Sequence, residues 1–174
     1  MKAIRLVLSM FVCVYALSLP AFAQEQENFG SEVPVTRPST LPSVAWKVLS
    51  RDKSVFDLMS DEDGNIPKKE WFTSSLMHIK GSKWKLYIVV GSGPMMGAHS
   101  THYWLIRSDG AHAQVVLCAF GDSLSIEHKH HHGMRDVRVS YPWAEGVTNI
   151  RYEFNSRTYV EKRNWTDKID PGGI

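Results

Sequence analysis

A tract of imidazole side chains gives this sequence its densest potential for metal chemistry. Four histidines stand close together: His128, His130, His131 and His132. Neutral imidazole is a ligand for Zn, Cu and Ni, and alternate residues of a strand share one face, so His128 and His130 form a two-ligand pair. A closed zinc site needs three or four ligands, and the sequence has neither paired cysteines nor a spaced His-x₃-His motif. The tract is equally typical of a polar hairpin end, so a metal site is our alternative hypothesis and we expect weak affinity there.

A glycine-rich segment that follows an alternating apolar stretch is the second candidate. Its residues are Gly93, Pro94, Met95, Met96, Gly97 and His99. The glycine spacing departs from the dinucleotide-binding fingerprint, and no helix-forming run follows it, so we expect no nucleotide cofactor. Long connections between strands often carry function, and exposed methionines are apolar and pliable. We therefore interpret residues 91–102 as a partner-binding loop, although Met95, Met96 and His99 are also soft ligands that suit copper.

Catalytic motifs are weak by comparison. Ser92 lies between two glycines, but the nucleophile elbow needs one residue between each glycine and the serine. We find no nucleophile with a paired general base, so a hydrolase is the least supported of three functional classes. We expect a non-enzymatic protein that uses no cofactor.

The first residues predict export. Lys2 and Arg5 form a short basic start, residues 6–19 are apolar, and Ala21-Phe22-Ala23 supplies the small-x-small pattern that signal peptidase reads. The apolar part is too short for a stable membrane span. We therefore predict a signal peptide over residues 1–23, cleavage near Ala23 and a periplasmic or secreted protein with no membrane span after cleavage.

Charge and cysteine content restrict what the exported chain binds and how it is stabilised. The formal net charge of +2 comes from Lys2 and Arg5, so the predicted mature chain is neutral, which argues against nucleic-acid binding. Only Cys118 of the two cysteines survives cleavage, so no intramolecular disulfide can form. The sequence does not indicate an oligomeric state.

Changes in apolar periodicity predict the fold. Residues 24–43 are polar and proline-rich, which favours a flexible lead-in, and residues 44–174 are predicted to form one globular domain. Residues 44–59 and 67–78 have helical spacing, and the period changes to alternation near Gly81. Short turns then separate seven predicted strands, which favours antiparallel neighbours. The expected fold class is α+β, with N-terminal helices followed by an antiparallel β-sheet meander in a single domain.

Two segments resemble known secreted proteins. Residues 86–98 with Tyr103-Trp104-Leu105-Ile106, and residues 152–159, resemble a group of uncharacterised secreted proteobacterial proteins. The layout is more distantly similar to that of periplasmic lysozyme inhibitors, in which a loop between strands plugs the lysozyme cleft. That resemblance implies a role for His99 at the cleft. It also places Met96 and Thr101 where those inhibitors have disulfide-forming cysteines, so the resemblance implies a loop here without that fixation.

Together these features predict an exported small binding or inhibitor module with a protein partner in the cell envelope. The loop at residues 91–102 is the predicted contact. The alternative is a periplasmic metal-binding protein that uses the histidine tract.

Overall fold

The computed structural model describes residues 27–59, 66–79 and 82–168. Two short α-helices lie before the main run of strands, α1 at Ser43–Leu49 and α2 at Lys53–Phe56. The strands are β1 (Asn28–Gly30), β2 (Phe72–His78), β3 (Lys85–Gly91), β4 (Thr101–Ser108), β5 (Ala113–Gly121), β6 (Ser123–His131), β7 (Met134–Trp143), β8 (Gly146–Phe154) and β9 (Tyr159–Lys168). No helix among these residues is long and apolar enough to cross a membrane.

The strands form two antiparallel sheets. One has the order β2-β3-β4-β5, and the other has the order β1-β6-β7-β8-β9. The chain passes from one sheet to the other at Asp122, the only residue between β5 and β6. The carbonyl oxygen of Asp122 accepts hydrogen bonds from the Tyr103 hydroxyl at 2.9 Å and from the Ser31 amide at 3.1 Å. These bonds tie the crossing point to both sheets.

The main core lies between the two sheets. Ile88 and Leu105 from the four-stranded sheet belong to the same buried cluster as Leu124, Val137 and Val139 from the five-stranded sheet. Alternation along each strand directs these side chains to one face. Burial of this apolar surface is the dominant favourable contribution to folding.

A second core covers the opposite face of the four-stranded sheet. Leu49 of α1 and Val55 of α2 pack with Val89 and Trp104 of that sheet. Asp52 caps α2, because its carboxylate accepts a hydrogen bond from the Ser54 amide at 3.0 Å. β3 is therefore buried on both faces, between helices and the second sheet.

The predicted α+β class, with N-terminal helices followed by one antiparallel meander, is wrong. The protein is mostly β, its strands form two sheets, and β1 precedes both helices. Helix is present within the predicted residues 44–59. In the predicted helix over residues 67–78, however, Lys69–Trp71 form a 3₁₀ turn and Phe72–His78 form strand β2. There Ser75 pairs with Ile88 and Met77 pairs with Leu86 of β3. Pairing with a buried strand overrides the local helical spacing, since it satisfies the backbone groups of both segments.

The strands predicted from Trp84 onward are all present and all pair antiparallel. Part of the predicted lead-in also has regular structure. Phe29 in β1 is buried and pairs with Leu124, and Pro38 forms an isolated bridge with Ser75. The predicted signal peptide lies outside the described residues.

Candidate functional site

The segment between β3 and β4 is anchored at its base by a buried methionine. Gly93 has a φ of +56° and begins a 3₁₀ turn, Gly93–Met95, that turns the Met95 side chain inward. Met95 is fully buried in the core beneath the helices, beside Trp104. A Cβ at Gly91 would lie only 2.5 Å from the Met95 Cβ. Glycine at position 91 therefore permits this close approach.

Hydrogen bonds close the segment into a fixed loop. Met96 and Thr101 form an isolated antiparallel bridge, and the Gly97 amide donates to the Ser100 carbonyl oxygen at 2.8 Å. The Thr101 hydroxyl donates to the carbonyl oxygen of Gly91 at 2.7 Å within the protein interior. The loop is thus tied across its base and at its turn.

His102 supports the loop from below. Its Nδ1 lies 3.1 Å from the Met95 carbonyl oxygen, which can only accept, so Nδ1 carries the proton. The ring lies between Trp104, with centroids 5.8 Å apart, and Phe120, with centroids 4.5 Å apart. Burial lowers the pKa of His102, against the opposing effect of the hydrogen bond to Met95. The neutral form is therefore favoured.

The outer part of the loop presents an apolar surface. Met96 and Phe120 are each 38% exposed, and Val33 is 48% exposed. Met96 and Val33 line one shallow hollow of about 210 Å³, and a Cβ at Gly97 would lie 3.4 Å from the Phe120 ring. We call Val33, Met96, Phe120 and the Gly97–His99 segment the tip surface.

Contacts with the N-terminal segment hold the polar side of the tip surface. The Ser31 hydroxyl donates to the His99 carbonyl oxygen at 2.5 Å. The Glu32 carboxylate lies 4.0 Å from His99 Nδ1, and both side chains are exposed. Ser100 donates to the Asp122 carboxylate at 2.8 Å, which fixes the loop to the crossing point between the sheets.

The structure places the six predicted loop residues in three different positions. Met96, Gly97 and His99 are exposed on the tip surface, and Gly93 and Pro94 form the turn below it. Met95 is a fully buried core residue, so the structure does not present its side chain to a partner. Val33 and Phe120 were missed because no local pattern marks them: Phe120 reaches the loop by pairing with His102 in the β4–β5 ladder, and Val33 follows β1.

The four histidines of the tract lie in three different surroundings, and the predicted pair His128 and His130 lines one cavity. His128 and His130 line a cavity of about 440 Å³ together with His78, whereas His132 is exposed at a turn with a φ of 49°. Only His131 belongs to a group of three ligand-type side chains in the described part of the chain, and its companions are Asp136 and Glu153. Neither carboxylate was identified from the sequence, since each belongs to another strand.

No family model, curated protein or solved structure matches the chain.

Proposed function

We propose that this protein is an exported, non-enzymatic binding module whose tip surface recognises a protein partner in the cell envelope. The observation that carries the proposal is the exposure of Met96 on a loop fixed by Met95, next to Gly97, which lies against the exposed Phe120 ring of β5. Isolated exposed apolar side chains are common on protein surfaces, whereas a contiguous group of them marks an interaction site. Such a group is typical of the centre of a protein interface.

Pre-organisation of the loop supports a binding role. Ordering a loop on binding costs free energy, and a loop that is already ordered avoids that cost. In the inhibitors that the sequence resembles, a disulfide performs this function. Here the two corresponding residues, Met96 and Thr101, form the antiparallel bridge instead, and Met95 anchors the turn between them and β3.

The composition of the tip surface favours a partner with a partly apolar cleft. Met96, Phe120 and Val33 form the apolar part, and His99 with Glu32 forms a polar rim. Methionine adapts its shape to an irregular pocket, and aromatic side chains contribute large contact area. The specific version of the proposal is inhibition of a lysozyme, with Met96 and His99 entering the cleft in place of substrate.

The test compares binding by the wild-type protein with binding by two matched variants. Phe120→Ser removes an aromatic ring from the tip surface, and Phe56→Ser removes an equally exposed ring at the end of α2, where Phe56 is 41% exposed. Loss of an interface anchor costs on the order of 2 kcal/mol, roughly thirty-fold in affinity. We expect this loss for Phe120→Ser and for Met96→Ser, measured by lysozyme inhibition and by calorimetry, and no loss for Phe56→Ser.

Two results would contradict the proposal at different levels. Absence of inhibition of every lysozyme class at micromolar protein would remove the inhibitor version. An unchanged set of partners captured from envelope extract after Gly97–His99 is replaced by serines would remove the tip surface as the recognition site.

Export is tested separately, since the intact mass of protein from the envelope fraction should match a chain that begins near Gln24.

A further inference from the structure

A buried carboxylate lies at the end of the five-stranded sheet, away from the tip surface. Asp136 on β7 has no solvent exposure. One carboxylate oxygen lies 2.6 Å from Nδ1 of His131, and the other, Oδ2, has no hydrogen-bond partner in the described chain. An ionised carboxylate is costly to bury without a compensating cation. A hydrogen-bond donor must therefore face Asp136, and the His131 imidazole supplies it.

The second carboxylate approaches the opposite side of the same imidazole. Val137 pairs with Tyr152 in the β7–β8 ladder, so Asp136 and Glu153 are neighbours on adjacent strands. Glu153 Oε2 lies 3.5 Å from His131 Nε2. The other oxygen, Oε1, accepts a hydrogen bond from Arg151 at 2.8 Å. Arg151 thus orients the carboxylate and leaves Oε2 directed at the imidazole.

The two distances differ in a way that distinguishes the two ring nitrogens. The 2.6 Å contact is a strong charge-assisted hydrogen bond, in which Nδ1–H donates to Asp136. The 3.5 Å separation exceeds the usual range for an N–H···O hydrogen bond. It is close to the spacing of about 3.4 Å between two ligands that each lie about 2.05 Å from a tetrahedral ion. The geometry on the Nε2 side suits two ligand atoms that share an ion.

We propose that His131 Nε2 and Glu153 Oε2 bind a divalent transition-metal ion of the zinc class, with Asp136 as the positioning residue. Metal-bound histidines usually donate their other ring N–H to a carboxylate, which fixes the tautomer and increases ligand basicity. Asp136 does this for His131. Water completes the coordination, because His131 is partly exposed and the ion can enter from solvent.

The site should bind metal more weakly than a closed structural zinc site. It has two direct protein ligands where structural sites have four, and the Arg151 guanidinium next to Glu153 opposes a cation. It should nevertheless bind more tightly than the exposed histidines, since Asp136 holds the His131 ring in place before the ion arrives. The proposal concerns a different surface from the tip surface, and the two are independent.

The test titrates untagged protein with zinc chloride at pH 7.5 by calorimetry with a competing chelator. The background variant carries His128→Gln, His130→Gln and His132→Gln, which removes the exposed imidazoles of the tract. On that background Glu153→Gln removes one proposed ligand, and Glu127→Gln is the matched control because Glu127 also pairs with an arginine, Arg138, at 3.1 Å. We expect one zinc ion per chain in the background variant, binding at least ten-fold weaker after Glu153→Gln, and unchanged binding after Glu127→Gln.

Imidazole ¹⁵N spectra provide a readout that does not depend on affinity. Nδ1 of His131 should keep its proton toward Asp136 with and without metal, and zinc should shift the Nε2 resonance the most. Zinc binding that disappears in the background variant, and that Glu153→Gln in the wild-type chain leaves unchanged, would belong to the exposed tract. That result would overturn the proposal. A His131 ring protonated at both nitrogens that does not respond to millimolar zinc would overturn it too, because the cluster would then be an ion pair only.

Discussion

Alanine substitution of the two adjacent methionines of the loop should have different effects. Met95→Ala should lower the stability of the protein, and Met96→Ala should weaken partner binding. Met95 is fully buried and Met96 is exposed, and a change to alanine removes most of the side chain at either position. Truncation of a buried methionine costs about 2–5 kcal/mol, from lost transfer free energy and the cavity that remains. A substitution of exposed Met96 should change the free energy of unfolding by less than about 0.5 kcal/mol.

Thermal and urea denaturation measure this difference directly. For a domain of this size 1 kcal/mol corresponds to about 2–4 °C, so Met95→Ala should lower the melting temperature by roughly 5–15 °C. Met96→Ala should leave it within about 2 °C while weakening the proposed partner interaction. Equal destabilisation by the two substitutions would refute the assignment of Met95 to the core. If Met95→Ala weakened partner binding as much as Met96→Ala while leaving the melting temperature unchanged, the proposal that Met95 acts by anchoring the loop would be refuted.

Three further outcomes test the surroundings of the loop and the far end of the sheet. Gly91→Ala introduces a Cβ 2.5 Å from the Met95 Cβ, and this overpacking should cost about 1–3 kcal/mol in urea denaturation; an unchanged midpoint would show that the loop moves aside. Burial lowers the pKa of His102 below 6.5, so the unfolded chain binds the proton more readily and stability should fall as pH drops below about 6.5. His102→Gln should flatten that dependence and exposed His99→Gln should not. Tyr159→Phe removes the 2.7 Å hydrogen bond to the Arg135 carbonyl oxygen and should cost about 1–3 kcal/mol, whereas a neutral result would show that water replaces it.

Alternation of apolar residues was sufficient to locate most strands. In β3 the residues Leu86, Ile88 and Val90 face the core between the sheets, as their spacing predicts. Tyr87 and Val89 are also buried, on the other face, under the helices. The sequence shows that β3 is apolar on both sides, but it does not show which elements cover each side.

The division into two sheets was not visible in the sequence. A single residue, Asp122, separates β5 from β6, and this link is too short for a hairpin loop, so the chain bends there from one sheet into the other. A Cβ at Gly121 would lie 2.4 Å from a methyl group of Val139. The absence of a side chain at Gly121 therefore lets the chain change sheets beside β7, and this constraint depends on residues distant in sequence.

The predicted helix at residues 67–78 failed for a related reason. Trp71, Phe72, Leu76 and Ile79 have helical spacing, but β3 offers an unpaired strand edge along the same length. Local periodicity reports only which residues are apolar. The satisfaction of backbone hydrogen bonds by a partner strand decides which regular structure they adopt.

The sequence by itself determined the predicted export signal, the run of antiparallel strands and the loop composition, because each depends on residues adjacent along the chain. Only the tertiary structure decided that Met95 is buried and Met96 exposed, that Val33 and Phe120 join the loop, and that Asp136 and Glu153 meet His131. Those arrangements depend on strand register and on the packing of two sheets. Both are set by burial and hydrogen bonding summed over the whole chain, which no local pattern contains.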